Sequence, residues 1–166
     1  MLAGRARSGR DEVELATGVG PNLRVRIECG QNLSSIAARV VGMEIRIELV
    51  ILPVSDVDRA RDFYVDKIGF HLDHDHTVSD EVRFVQLTPP GSACSIAFGK
   101  GLTDAEPGTV KGLQAVVDDA DKVRSELVER GADVTEVQDL AWGRFVYFDD
   151  PDGNHWALQQ IVRPGQ

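Results

Sequence analysis

The order strand, helix, strand, strand, strand is readable twice along this chain, and that repetition limits the fold more than any single motif. In the first pass Glu44–Val54 is β-prone, with Ile45, Ile47, Leu49 and Ile51 on one face and Arg46, Glu48, Val50 and Leu52 on the other. Pro53 ends it. Ser55 then reads as the N-cap of a helix whose apolar stripe is Val57, Ala60, Phe63, Tyr64 and Ile68. Strands are predicted at 70–77, 82–88 and 93–98. The second pass begins at Lys111–Val117, continues through a helix striped by Ala120, Val123, Leu127 and Val128, and ends with strands at 132–137, 143–149 and 154–161. Gly69 and Gly131 stand 62 residues apart, each where a helix should stop. A βαβββ module of this size cannot bury its own sheet face. Two of them predict one α+β domain, with helices on the convex faces of paired, curled mixed sheets that enclose a cleft.

Residues 1–42 carry no comparable period. They are rich in Gly, Arg and Ser, and the reading is a mobile N-terminal extension with a short strand at Leu23–Ile27 and a helical turn at Ser34–Val41. The single domain is placed at 43–163: module one at about 44–99, a linker at 100–110 containing Pro107-Gly108, and module two at about 111–162. No run of 18 apolar residues occurs, so no membrane partner is expected. The first ten residues are charged without an apolar stretch, which is not a secretory signal. With only Cys29 and Cys94, no disulfide framework is expected, and the cytoplasm is the expected compartment.

Charge narrows the partners. Residues 1–42 hold six Arg against four acidic residues, so the formal net charge of -9 leaves -11 on the remainder. A domain that acidic repels phosphate backbones, which argues against nucleic acid. It would tolerate a cationic ligand.

Candidate chemistry is sparse. In His71-Leu-Asp-His-Asp-His76, strand alternation puts His74 and His76 on one face and His71, Asp73 and Asp75 on the other. Two histidines at that spacing need a third ligand from elsewhere to hold zinc. The better functional reading is that His74 or His76 lines the cleft as a hydrogen-bonding group. Trp142 precedes a strand in a loop, where it reads as an aromatic lid. Trp156 shares parity with Leu158 and reads as core. The closing stretch Asp149-Asp-Pro-Asp-Gly-Asn154 is turn chemistry between the last two strands.

Three segments, 52–70, Gly112-Leu-Gln-Ala-Val-Val-Asp-Asp119 and Asp150-Pro-Asp-Gly153, resemble the vicinal oxygen chelate superfamily, which includes glyoxalase I, bleomycin-resistance proteins and extradiol dioxygenases. The first of them contains Leu52-Pro-Val-Ser-Asp-Val-Asp58 and Phe63-Tyr64. The resemblance runs from about residue 45 to 162. It implies four metal-ligand positions, on the first and last strand of each module. Placed from Asp56 and Phe63-Tyr64, from Asp118-Asp119 and from the closing turn, they fall on Leu49, Ala97, Gly112 and Ala157. None has a side chain that ligates, so neither metal nor cofactor is expected. If these four face the cleft, alternation adds Ile47, Ile51, Ser95, Gln114, His155 and Gln159, with Phe84 and Gln86 from the third strand of module one. The resulting expectation is a metal-independent protein of the bleomycin-resistance type. It would bind a small organic molecule, a cationic drug or metabolite among the candidates, and work as a homodimer. The alternative is a glyoxalase-like isomerase, lyase or dioxygenase that uses His155, His74 or His76 or a displaced metal.

Overall fold

The computed structural model describes residues 12–15, 23–26 and 45–162, and the chain divides into two compact units, 1–46 and 47–166. In the first unit, β1 (Glu12–Leu15) and β2 (Leu23–Arg26) form an antiparallel hairpin with Glu12 opposite Arg26. The strand expected from Leu23 is therefore present. The turn expected at Ser34–Val41 lies outside the described residues.

The second unit carries the doubled order. Sheet one contains β3 (Leu49–Ile51), β4 (His71–Thr77), β5 (Arg83–Thr88) and β6 (Ser95–Phe98), arranged β3-β6-β5-β4. Sheet two contains β7 (Lys111–Val116), β8 (Gln138–Leu140), β9 (Gly143–Asp149) and β10 (His155–Gln160), arranged β7-β10-β9-β8. In each sheet the first strand of the module runs parallel to the last, and the other pairings are antiparallel. A parallel pair needs a crossover, and the helices supply it. They are α1 (Val57–Asp62), which runs on as a π-helix over Phe63–Ile68, and α2 (Ala120–Glu129).

Three expectations change in detail. The first strand is three residues long rather than the eleven of Glu44–Val54. Its only strand partner among the described residues, β6, is four residues long, so a longer ladder has nothing to bond. The helix cap is Asp56, whose carboxylate accepts from Arg59 N at 3.0 Å, and not Ser55, whose hydroxyl is taken by Asp152 at 2.5 Å. After α2 the chain forms no strand at 132–137. Ala132 drops into the core directly after the helix. Thr135 Oγ1 accepts from Tyr147 N at 3.0 Å, a side chain standing where a ladder carbonyl would be.

One core serves both modules. Val85, Leu87, Ile96 and Phe98 of sheet one meet Val146, Phe148, Trp156 and Leu158 of sheet two, with Ala60, Tyr64, Ala120 and Leu127 from the helices between them. Tyr64 is its hinge. Its ring stacks on Phe70 and Phe98 and meets Trp156 edge-on, at centroid distances of 5.6, 5.8 and 6.2 Å. Such pairs add about 0.5–1.5 kcal/mol each beyond buried area. Its hydroxyl donates to Asp150 at 2.9 Å and accepts from Trp156 Nε1 at 3.1 Å, and burial pushes the phenol pKa up. Asp150 also accepts from three nitrogens of the closing turn, Asp152 N, Asn154 N and Asn154 Nδ2. Asn154 Nδ2 bonds Pro53 O at 3.0 Å, which ties the last hairpin to the end of β3. The linker crosses this turn at Gly108, where an added Cβ would meet Asp152 O at 1.9 Å. No helix among the described residues is long and apolar enough to cross a membrane.

Candidate functional site

Alternation along the strands decides what lies opposite the core. On sheet one, Val85, Leu87, Ile96 and Phe98 point to the core, so Phe84, Gln86, Thr88, Ser95 and Ala97 occupy the other face. Register places Gln86 beside both Ala97 and His74, Phe84 beside His76, Leu49 beside Ser95 and Ile51 beside Ala97. Ser95 and Ala97 are buried, Leu49, Phe84 and Gln86 half-buried, and His74 and His76 exposed with ring centroids 5.5 Å apart. Ile47 lies before the ladder and is 71% exposed.

A bulge between Leu72 and His74 alters the histidine strand. Strict alternation groups His71, Asp73 and Asp75, and the structure separates Asp75 from the other two. Asp75 lies toward α1, held by Arg83 at 2.9 Å and Arg61 at 3.4 Å. Asp73 turns to the open face, where Thr88 Oγ1 donates to it at 2.5 Å and His71 Nδ1 lies at 2.9 Å. One extra residue in a strand reverses the facing of the residues beyond it. The Thr88 hydroxyl, and His71 after it, hold the Asp73 carboxyl below its ordinary pKa. Thr88 in turn contacts Ser95 Oγ at 2.7 Å, and Gln86 Nε2 donates to Ser95 Oγ at 3.1 Å.

Sheet two repeats the geometry with other chemistry. Its open face carries Gln114, Phe145, Tyr147, His155, Ala157 and Gln159, with Ala157 opposite both Gln114 and Tyr147. Phe145, Tyr147 and His155 form a ladder of near-parallel rings, with centroids 5.9 and 5.6 Å apart. His155 Nδ1 lies 2.6 Å from Asp149 Oδ1. Around the Tyr147 and His155 rings, Asp133, Val134, Thr135 and Asp149 line a shallow pocket of about 250 Å³. Gln159, a buried residue, donates to the backbone oxygen of Trp142 at 2.9 Å and accepts from Gln114 Nε2. Trp142 itself is 66% exposed.

The candidate residues thus fall into two groups, each on the open face of its own sheet. Leu49, His74, His76, Phe84, Gln86, Ser95 and Ala97 belong to sheet one, and Gly112, Gln114, His155, Ala157 and Gln159 to sheet two, with Trp142 at its rim. Among the described residues no hydrogen bond, ion pair or ring contact joins the two groups. The four positions that the resemblance implies for a metal do not fit one. Leu49, Ala97 and Ala157 offer no donor atom. Gly112 sits at a register shift with φ +113°, a backbone that side chains rarely adopt. Among the described residues no three His, Cys, Asp or Glu side chains gather as a metal group.

Phe145, Tyr147, Asp149, Thr88 and Asp73 join these faces without having been singled out in the sequence. Alternation in Arg144-Phe-Val-Tyr-Phe148 was signal enough for the rings, since Val146 and Phe148 are core. Nothing local marks Asp73, which the bulge turned.

Comparison with known proteins agrees with this architecture. The family model described as "Glyoxalase/Bleomycin resistance protein/Dioxygenase superfamily" matches residues 46–158. The crystal structure of TnmS3, an antibiotic-binding protein from Streptomyces sp. CB03234, is 36% identical with a TM-score of 0.66, over 73% of this chain and 100% of that one. A member of the same superfamily from Sphaerobacter thermophilus DSM 20745 is 31% identical with a TM-score of 0.62, over 70% of this chain and 97% of that one. The uncharacterized protein YetH of Bacillus subtilis (strain 168) is 27% identical over 120 residues, 69% of this chain and 98% of that protein. With two βαβββ modules on a common core and a family match over most of its length, this chain belongs to the glyoxalase/bleomycin resistance protein/dioxygenase superfamily.

Proposed function

We propose that this protein binds a small organic molecule without a metal ion and acts by sequestering it. The observation that carries the reading is the residue set Leu49, Ala97, Gly112 and Ala157, which provides no ligand at the positions where a chelated ion is implied. A divalent ion needs several nitrogen, oxygen or sulfur donors converging on one point. In their place stand Leu49 and three small residues, flanked by amides, hydroxyls and rings, the lining of an organic binding site. The likeness to an antibiotic-binding protein supports the same reading. Asp133 and Asp149 beside the Tyr147 and His155 rings favour a ligand with a cationic group.

The working form in this reading is a homodimer. β3 and β7, which flank the two open faces, are both outer strands of their sheets, and Ile51 and Val116 on them are 41% and 63% exposed. A partner that pairs with these edges would bury them and close each open face into a cleft. Residues 43–163 form the binding unit, in the cytoplasm.

The test is a thermal-shift panel of small organic molecules, aminated and neutral, run with and without EDTA, together with elemental analysis and light scattering. The expected result is ligand-dependent stabilisation that EDTA leaves unchanged, and a dimer mass. One tightly held ion per chain, lost together with ligand binding on chelation, would overturn it.

One observation favours a second reading. Asp149 orients His155 and the Tyr147 ring stacks on it, an arrangement that positions an imidazole for proton transfer. An isomerase or lyase working through His155 would turn over dicarbonyl–thiol adducts and lose that turnover in His155→Gln.

A further inference from the structure

The hydrogen bonds of the two open faces have forced directions, and those directions decide which ligand groups the faces accept. On sheet one, the Asp73 carboxylate only accepts. Thr88 Oγ1 donates its single proton to Asp73 at 2.5 Å. The 2.7 Å contact between Thr88 and Ser95 must then use the proton of Ser95. With that proton spent, Ser95 Oγ is an acceptor in its 3.1 Å contact with Gln86, so the amide nitrogen of Gln86 faces it. The Gln86 carbonyl oxygen is left, and among the described residues no donor reaches it.

Sheet two reaches the same end by a different route. The backbone oxygen of Trp142 only accepts, so Gln159 Nε2 faces it at 2.9 Å. Gln159 Oε1 then accepts from Gln114 Nε2, which leaves the carbonyl oxygen of Gln114 without a donor among the described residues. Neither assignment depends on distinguishing nitrogen from oxygen at the amide itself. A terminal group that can only accept sets each one. Each free carbonyl also has an alanine beside it, Ala97 opposite Gln86 and Ala157 opposite Gln114, so no larger side chain crowds it from that position.

We infer that the two faces select ligands that donate hydrogen bonds, through hydroxyl or N–H groups, over ligands that present only acceptors, such as ethers, ketones and carboxylates. This rests on the small-molecule reading above and names the chemical class that the same faces take. Gln86 and Gln114 are the specificity-determining residues. Ser95 and Thr88 position the first, and Gln159 positions the second. A donor paired with a fixed carbonyl gains about one net hydrogen bond, and an acceptor-only analogue instead leaves that oxygen stripped of water and unpaired.

Fluorescence titration of the full chain with β-naphthol and with its methyl ether tests the inference, since the two differ only in the donated proton and a methyl group. The expected preference for the naphthol is about tenfold. Gln86→Leu and Gln114→Leu should each narrow it, and the double variant should bind the two compounds equally. Ser95→Ala should narrow it too, because the Gln86 amide is then free to turn. In the same variant the Gln86 side-chain amide protons, followed by NMR, should exchange faster than in the parent protein. Equal binding of naphthol and ether by the parent protein, or unchanged Gln86 exchange in Ser95→Ala, would overturn donor selection and leave small-molecule binding standing. If neither compound nor any member of the thermal-shift panel binds, the small-molecule reading falls and this inference falls with it.

Discussion

Sheet one and sheet two share a strand order and a core but differ in the chemistry of their open faces. Sheet one ends in β4, seven residues long and polar, and its face is organised by a chain of hydroxyls running from Ser95 through Thr88 to Asp73. Sheet two ends in the three-residue β8, and its face is organised by three stacked rings and a glutamine pair. The core faces are alike because each must bury apolar surface against the other module. The open faces carry no such duty and are free to diverge, which is why the proposed binding chemistry is placed there.

Breaking the core is the strongest way to probe the likeness. Trp156→Ala in sheet two and Phe98→Ala in sheet one should each cost about 3–5 kcal/mol, because both residues are buried among the Tyr64 contacts and neither site can collapse fully. Denaturant unfolding of either variant should remain a single transition. Two separate transitions would show that the modules are independent domains rather than halves of one core.

Tyr64→Phe should cost less, about 1–3 kcal/mol. It keeps the rings in place but strips one partner from Asp150 and one from Trp156 Nε1. Chemical denaturation compared with the parent protein measures it. A negligible loss would mean that the turn at Asp150 is held by its own bonds from Asp152 N and Asn154, and by the bond of Asn154 to Pro53, without Tyr64.

A smaller effect separates the modules by acid. Asp75 in sheet one is held below its ordinary pKa first by its hydrogen bond from Arg83, and next by Arg83's charge and Arg61. A carboxylate depressed in the folded state stabilises fully above its unfolded pKa of about 3.9. That contribution is lost as pH falls through the lower folded value. Asp75→Asn should therefore lower stability at neutral pH and flatten its decline below about pH 4 in thermal melts. Asp121 in module two is also lowered, by Arg144, but the pair is open to water, with Asp121 66% exposed. Asp121→Asn should leave the acid limb of the melt curve close to that of the parent protein. Arg144→Met should have the smallest effect of all, a melting-temperature change near the error of measurement, since exposed ion pairs contribute little.

Local sequence was enough for the two-module α+β plan, the helix starts to within one residue, the core role of Trp156 and the lack of ligating side chains at Leu49, Ala97, Gly112 and Ala157. These depend on periodicity, capping and residue type, which are properties of neighbours along the chain. Contacts between distant segments settled the rest. The facing of Asp73 and the backbone of Gly112 arise from irregularities of register, and register is set by the strand alongside. The short β3 was decided by the length of β6, and the missing strand at 132–137 by Ala132 and Thr135 finding partners in the core and in β9. The orientation of the Gln86 and Gln114 amides is the furthest from the sequence. It is settled by terminal acceptors on other strands and loops, Asp73 and the Trp142 carbonyl, and a hydrogen bond acquires its direction only when both of its ends are in place.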